Sequence, residues 1–376
     1  MNYDINELFN KKTEDFCVFK DSSEVVLYGA GQMGLDASNC LLNEGVNVKF
    51  FADKNPSILG KQVNNIEVKH PENFSAEEKG NYIFAIAVVT VSYNIIYDYL
   101  KSLGCKNICF VGDLVNKACK NPYISRTWRF DNPSEEEIKT INKTFETYSD
   151  EASKKSLVQY LTWVLNNEEK RDYATVLKMN EKYFISEVTD ALSDDETFVS
   201  YDFLSTNPLE EIEKFVGNFK AIHIFEPTDK KYNEFEEKYK SDNIFIKQCG
   251  LGDENTEKYF SYGEGLSVKS RFVDFKTDKS FPIKKLDDLM ADSPYSYLKI
   301  YGLGLALEAI KGSINTIKKF RPIVAVTIHH TKEDFIEIPH LLVDNLSNYN
   351  FYLRLHSYCG FETLFYAIPR EKVRDK

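Results

Sequence analysis

The sequence feature that most constrains the fold is a glycine turn between a predicted strand and a predicted helix. The apolar run 25–28 leads into Gly29, Gly31 and Gly34, and a helical pattern follows them. In this setting the first glycine permits a tight turn and the second lets a phosphate approach the backbone. The third lets the helix pack closely on the strand. The segment therefore predicts a parallel α/β domain with its turn at the carboxyl end of the first strand.

The glycine turn has two interpretations from the sequence. Asp53 ends the next predicted strand, where a carboxylate accepts hydrogen bonds from ribose hydroxyls, so Gly29, Gly31, Gly34 and Asp53 form a candidate nucleotide site. The ligand would then be a nucleotide, a dinucleotide or a nucleotide-sugar. Alternatively, the glycines serve only the close packing of helix on strand. No hydride-transfer residue follows the turn, so the sequence does not support a dehydrogenase.

Strand and helix patterns alternate in two separate stretches of the 376-residue chain. The first stretch gives a Rossmann-like domain over residues 20–120, and charged helical patterns over 121–190 predict a connector. A second alternation fills 191–376 and ends in a predicted antiparallel pair of strands. The expected fold class is therefore α/β with two Rossmann-like domains, the second built on a mixed sheet.

Charge and cysteine content limit the partners and the location. Lys and Arg number 47 against 58 Asp and Glu, and the net charge of −11 argues against nucleic acid, which needs a basic footprint. The longest apolar run, 82–91, is too short to span a membrane, and no signal-peptide pattern begins the chain. The seven cysteines are scattered, which suits a reduced cytoplasmic protein without a metal site. A homo-oligomer is compatible with this composition.

Residues 24–113 are also similar to the first domain of sugar acyltransferases that bind nucleotide-sugars. The similarity rests on the glycine turn, the acidic turn at Asp53 and the stretch from Gly60 to Val68. It implies the same class of fold and a nucleotide-sugar ligand.

From about residue 150 onward the chain resembles the FkbM family of S-adenosylmethionine-dependent methyltransferases, in the subset with an amino-terminal Rossmann-like domain. The landmarks that carry this resemblance follow one another along the chain and include Phe225-Glu226-Pro227, Leu286-Asp287-Asp288, Leu298-Lys299-Ile300, Ile328-His329-His330 and Tyr352-Leu353-Arg354. The resemblance implies a methyltransferase-type sheet in the second domain. It also implies S-adenosylmethionine as the cofactor and methyl transfer to a sugar or polyol hydroxyl.

The resemblance assigns roles to particular residues. Glu226 would hold the ribose of the cofactor, with Asp202 and Asp253 as further cofactor contacts. His330 would be the general base, and Asp334, four residues on, would orient it if both lay on one face of a helix. Lys299 matches a lysine of the family and completes the catalytic candidates. His330 and Asp334 could alternatively form half of a metal site. The simpler interpretations are a histidine at a strand end with its hydrogen bonds satisfied and a lysine that extends to solvent.

Two motifs of the family are changed in this sequence. Where the family has a pattern close to Asp-x-Gly-Ala-x-x-Gly-Asp-Thr, the chain has Ser200, Asp202 and Thr206, followed by Asn207-Pro208. Where the family has Asp-x-Glu-Gly-x-Glu, the chain has Tyr301, Leu303 and Ala306. Side chains thus replace two glycines that approach the cofactor, and the cleft loses three carboxylates.

Two functional hypotheses follow. In the first, the protein is an FkbM-like methyltransferase that acts on a sugar or polyol. In the second, it keeps the methyltransferase fold as a scaffold and binds a nucleotide or nucleotide-sugar at the amino-terminal turn without catalysis. The changed motifs at Ser200–Pro208 and Tyr301–Ala306 favour the second hypothesis.

Overall fold

The structure is a computed structural model, and it describes the chain in ten ranges. These are 5–10, 17–119, 130, 133–166, 168–169, 175–202, 208–261, 271–273, 276–302 and 304–373. The side chains of Asp202, Pro208, Ser261 and Arg271 are outside this description.

The chain divides into two compact units that are not continuous in sequence. Unit 1 comprises Met1–Asn132, Val158–Ala174 and Ser357–Phe361. Unit 2 comprises Pro133–Leu157, Thr175–His356 and Glu362–Lys376. The sequence predicted three continuous ranges, 20–120, 121–190 and 191–376, and the observed division differs from them. Two later segments belong to unit 1, and residues 121–190 are divided between the two units.

Unit 1 is built around a mostly parallel sheet. Its helices and strands are α1 (Asn6–Phe9), β1 (Glu24–Tyr28), α2 (Gln32–Asn43), β2 (Asn47–Ala52), β3 (Gln62–Val63), β4 (Ile66–Lys69), α3 (Ala76–Asn81), β5 (Ile83–Ile86), α4 (Tyr93–Ser102), β6 (Asn107–Phe110) and α5 (Val111–Ala118). Among the described residues the strand order is β3-β4-β2-β1-β5-β6, and only the β3–β4 pair is antiparallel. The order reverses between β1 and β5, which is where such sheets bind ligands.

Apolar burial explains why these strands form the centre of unit 1. Val25, Val26 and Leu27 of β1 and Phe84 of β5 have no exposed surface. Burying each such side chain contributes about 1.5–3 kcal/mol. Strands buried on both faces need the continuous apolar runs that the sequence shows here.

Two helices follow α5 in the sequence, α6 (Glu135–Thr147) and α7 (Glu151–Asn166), and the short helix α8 (Ser186–Thr189) comes after them. The capping box expected from Ser-x-x-Glu is present in α6. Ser134 Oγ accepts from Glu137 N at 3.2 Å, and Glu137 Oε2 accepts from Ser134 N at 2.7 Å. This reciprocal pair satisfies backbone amides at the start of the helix.

Unit 2 is built around a larger mixed sheet with a second small sheet. Its strands are β7 (Thr197–Asp202), β8 (Ala221–Phe225), β9 (Ile244–Lys247), β10 (Gly250–Leu251), β11 (Thr256–Ser261), β12 (Arg271–Val273), β13 (Lys279–Lys284), β14 (Tyr297–Tyr301), β15 (Ile323–Thr327), β16 (Tyr349–Leu355) and β17 (Thr363–Pro369). Its remaining helices are α9 (Pro208–Phe215), α10 (Asp229–Lys238), α11 (Leu286–Leu289), α12 (Ala306–Lys311), α13 (Ile314–Phe320) and α14 (Lys332–Asn345).

The order of the large sheet in the described residues is β16-β17-β15-β14-β7-β8-β9. Strands β7, β8, β9, β14 and β15 are parallel, and β17 pairs antiparallel with both β15 and β16. The order reverses between β7 and β14, so the carboxyl ends of these two strands mark the candidate cleft. The predicted α/β class, with a mixed second sheet and a closing antiparallel pair, is confirmed.

Candidate functional site

The glycine turn of unit 1 contains two glycines that packing requires. Gly29 has a φ of +107°, and a Cβ there would lie 2.6 Å from Val88 Cγ2. A Cβ on Gly34 would lie 1.9 Å from the carbonyl oxygen of Gly29. No side chain fits at either position without a shift of the backbone, so both residues are explained by the fold alone.

Gly31 differs from the other two glycines of the turn. It precedes α2 with a φ of −80°, which any residue adopts. Apart from its chain neighbours, no described residue has a heavy atom within 4 Å of where its Cβ would lie. Packing and backbone conformation therefore do not explain this glycine, whereas a ligand that approaches the backbone would.

Asp53 lies against the same turn. Its Oδ2 accepts from the Ala30 amide at 2.9 Å, and its Oδ1 accepts from the Asn55 amide at 2.8 Å. These bonds hold the carboxylate at the end of β2, and each oxygen keeps acceptor capacity for a hydroxyl. Burial, with Tyr99 and Asp53 nearby, raises the pKa of Tyr28 to about 12, so its hydroxyl stays neutral at the end of β1.

In unit 2, the candidate ribose acid Glu226 directly follows β8 and is fully buried. Its Oε1 accepts from the Thr228 amide at 2.7 Å and from Thr228 Oγ1 at 2.5 Å. The carboxylate thus stands at the strand end that the resemblance implies. In this structure the Thr228 backbone and hydroxyl bind it.

At the ends of β14 and β15, aromatic rings occupy the cleft. Tyr301 packs edge-on against His330 with ring centroids 5.2 Å apart, and His330 lies 4.4 Å from the His329 ring. All three residues are buried, and His330 is 4% exposed. His329 Nδ1 lies 3.4 Å from the Thr363 carbonyl oxygen. The imidazole of His330 therefore forms part of the packed interior.

The expectation that His330 and Asp334 share one helix face is wrong. Helix α14 begins at Lys332 and Thr331 is its N-cap, with Thr331 Oγ1 accepting from the Asp334 amide at 2.9 Å. His330 precedes the helix because the cap residue must leave helical geometry. Asp334 is itself buried, and burial raises its pKa to about 7, with Glu308 and Glu333 nearby adding to the effect.

The ammonium groups of two lysines lie close to one tyrosine ring. Lys299 Nζ is 4.1 Å and Lys182 Nζ is 5.1 Å from the centroid of Tyr183. Lys299 forms an ion pair with Glu211 at 2.5 Å, and Lys182 pairs with Glu362 at 3.3 Å. Lys299 is 3% exposed, so the interpretation as a lysine extending to solvent is wrong. The ion pair explains why burial of this charge is tolerated.

The cluster around Tyr183 brings together residues that are far apart in the sequence. The sequence singled out Lys299 but did not indicate its partner Glu211 or the ion pair between Lys182 and Glu362. Lys182 directly precedes Tyr183-Phe184, and Glu211 lies on the amphipathic helix α9, so each had a local signal but no indication of its partner.

Several candidates have less structural information. The side chain of Asp202 and the residues Thr206 and Leu303 lie outside the described part of the chain. Asp253 is half-buried, just beyond β10 and its neighbour Gly252. In the ranges that the structure describes, no group of three or more His, Cys, Asp or Glu could hold a metal ion. None of the helices described there is long and apolar enough to cross a membrane.

The chain was compared with known proteins. No family model matches it, and no curated protein matches it. Among solved structures, it is similar to the methyltransferase FkbM from Methylobacillus flagellatus KT, with a TM-score of 0.69 and 17% sequence identity. The similarity covers 92% of this chain and 90% of that one. At this level of identity the comparison supports the methyltransferase fold and leaves the activity open.

Proposed function

We propose that this methyltransferase-fold protein binds a nucleotide or nucleotide-sugar at the glycine turn of unit 1. The observation that carries the proposal is Gly31, whose Cβ position is open and whose φ of −80° places no demand for glycine. Helix α2 begins directly after Gly31, and the first backbone amides of a helix favour a phosphate. Asp53, fixed by Ala30 and Asn55, supplies the acceptor for ribose hydroxyls.

The described residues of unit 2 fit catalysis less well. His330, Lys299 and Asp334 are each at most 4% exposed, and Tyr301 fills the place of a cleft carboxylate. A general base must reach the proton that it removes, and a buried imidazole packed on a tyrosine does not. We therefore assign the working ligand site to unit 1 and a supporting role to unit 2.

Calorimetric titration of the full chain with ADP, UDP and UDP-N-acetylglucosamine tests the proposal. We expect saturable binding that Gly31→Val weakens by about 100-fold, because branched methyl groups would occupy the phosphate position. Gly80→Val is the matched control, since Gly80 in α3 also has nothing within 4 Å of its Cβ position and is not part of the turn. Equal losses in both variants, or no binding to any of the three ligands, would contradict the proposal.

A second candidate function is methyl transfer to a sugar or polyol hydroxyl. It is favoured by Glu226, whose carboxylate stands at the end of β8 where a ribose would be held. Bound S-adenosylmethionine would supply the electrophilic methyl group. Glu226 would hold the cofactor, and His330 would accept the proton of the hydroxyl only after leaving its packing against Tyr301. Calorimetric titration with S-adenosylmethionine tests this function. Binding that Glu226→Ala abolishes would support it, and a titration that shows no heat of binding would contradict it.

A further inference from the structure

The sheet of unit 1 has two halves that meet where the strand order reverses, and their carboxyl ends are not equally accessible. Strands β1, β2 and β4 form the first half, and β5 and β6 form the second. A dinucleotide lies across such a reversal with one nucleoside over each half. The glycine turn and Asp53 belong to the first half. What covers the second half therefore decides how many nucleosides the site accepts.

A carboxylate binds the start of α4, the helix that follows β5. Glu169 Oε2 accepts from Ser92 Oγ at 2.7 Å and from the Tyr93 amide at 2.8 Å, at the first residue of α4. Its Oε1 accepts from the Cys359 amide at 2.8 Å. Glu169 is 9% exposed. A buried carboxylate on these amides takes the donors that a second phosphate would use, and it repels that phosphate.

A backbone segment covers the loop after β5 as well. The carbonyl oxygen of Val89 accepts from the Tyr358 amide at 2.9 Å and from Ser357 Oγ at 2.5 Å. These residues belong to the segment Ser357–Phe361, which is part of unit 1. The loop that would face a second nucleoside is therefore already paired with the chain itself.

Buried aromatic side chains pack together at the end of β6 and the start of α4. The Trp163 ring lies 5.4 Å from Tyr93 and 5.1 Å from Phe110, both edge-on. Phe110 is the last residue of β6, and α5 begins directly after it, so no loop opens there. The three side chains are 3%, 8% and 1% exposed, respectively. Edge-on aromatic packing of this kind adds to the stabilisation that burial of the rings provides.

We infer that the glycine-turn site accepts a ligand with one nucleoside and its phosphates, and that Glu169 and Trp163 exclude a second nucleoside. This inference rests on the proposed function, since it narrows the ligand of the same turn. It selects a nucleoside diphosphate or its sugar ester and excludes NAD and other dinucleotides.

The test compares ligands that share one base. The full chain is titrated with ADP and diadenosine diphosphate, with UDP and diuridine diphosphate, and with NAD. We expect each dinucleotide to bind no tighter than its nucleoside diphosphate, and NAD to bind no tighter than ADP. Binding of a dinucleotide about tenfold tighter than its nucleoside diphosphate would overturn the inference, because the second nucleoside would then add affinity.

The outcomes separate this inference from the proposed function. If nucleoside diphosphates bind and Gly31→Val abolishes that binding, the proposed function holds whatever the dinucleotides do. A dinucleotide advantage under those conditions overturns the inference alone. If no nucleotide binds, both are overturned.

Discussion

The two large sheets of this protein present opposite kinds of carboxyl edge at the reversal of their strand order. In unit 1, the edge carries Gly31 with open space around it and Asp53 held by backbone amides. In unit 2, the corresponding edge carries Tyr301 packed on His330 and a fully buried Glu226. The two sheets have similar architectures, but the edge of unit 1 leaves space beside the backbone and the edge of unit 2 is filled by packed side chains. The difference comes from a few side chains at the strand ends.

The largest effect is expected when the packed edge of unit 2 loses a buried charge. Lys299→Ala removes the partner of Glu211, and leaving a buried ion unpaired costs about 3–5 kcal/mol. We expect the loss of unfolding free energy to lie near the lower end, because the Glu211 side chain is 23% exposed. Urea denaturation followed by circular dichroism measures it.

Lys319→Ala is the control for that substitution, because its ion pair with Asp292 is exposed and such pairs contribute about 1 kcal/mol or less. The double variant Lys299→Met with Glu211→Leu removes both charges and should recover much of the loss. If Lys299→Ala is no more costly than Lys319→Ala, the packed interior assigned to unit 2 is wrong.

The next effect concerns pH. Burial raises the pKa of Asp334 from 3.8 to about 7, so the neutral carboxyl stabilises the fold below pH 4 and this contribution is lost as the pH rises through 7. Asparagine keeps the neutral shape at every pH. Since one pKa unit corresponds to about 1.4 kcal/mol, the advantage of Asp334→Asn should grow by about 3 kcal/mol from pH 5 to pH 8.

Urea denaturation at both pH values measures the Asp334 effect, with the exposed Asp292→Asn as the matched control. A constant difference between Asp334→Asn and the unmodified protein would indicate that water reaches this carboxyl. The edge of unit 2 would then be more open than described.

The smallest effect tests the open edge of unit 1 without any ligand. Gly34→Ala places a Cβ 1.9 Å from the Gly29 carbonyl oxygen, and overpacking of this kind costs about 1–3 kcal/mol. Gly31→Ala meets no described atom and should cost at most about 1 kcal/mol, because alanine is a poorer N-cap residue than glycine. Thermal unfolding of the two variants measures the contrast. Equal losses would mean that Gly31 is a packing residue, like its neighbours in the turn.

Much of the fold was predictable because local patterns determine it. The apolar runs at β1 and β5, the glycine turn and the capping box at Ser134 each depend on residues close together in the sequence. The ends of β14 and β15 were harder to predict, because the contact between Tyr301 and His330 depends on register between strands. The sequence showed that the carboxylates of the family motif are replaced at Tyr301–Ala306. It did not show that the Tyr301 ring packs against His330.

Pairs of distant residues account for most of what the sequence did not predict. Glu169 looked like an ordinary charged residue in a helical stretch, yet its carboxylate binds the amides of Tyr93 and Cys359. Lys182 and Glu362 are 180 positions apart and form a buried pair. Such pairs leave no periodic signal, since each partner satisfies a requirement created only by the fold.

The segment Ser357–Phe361 has a consequence for the order of synthesis. Its amides and hydroxyl bind Val89 and Glu169, although the strands on either side of it, β16 and β17, belong to unit 2. When residues 1–132 have been synthesised, unit 1 is therefore still incomplete. Its final hydrogen bonds form only after the segment Ser357–Phe361 has also been synthesised.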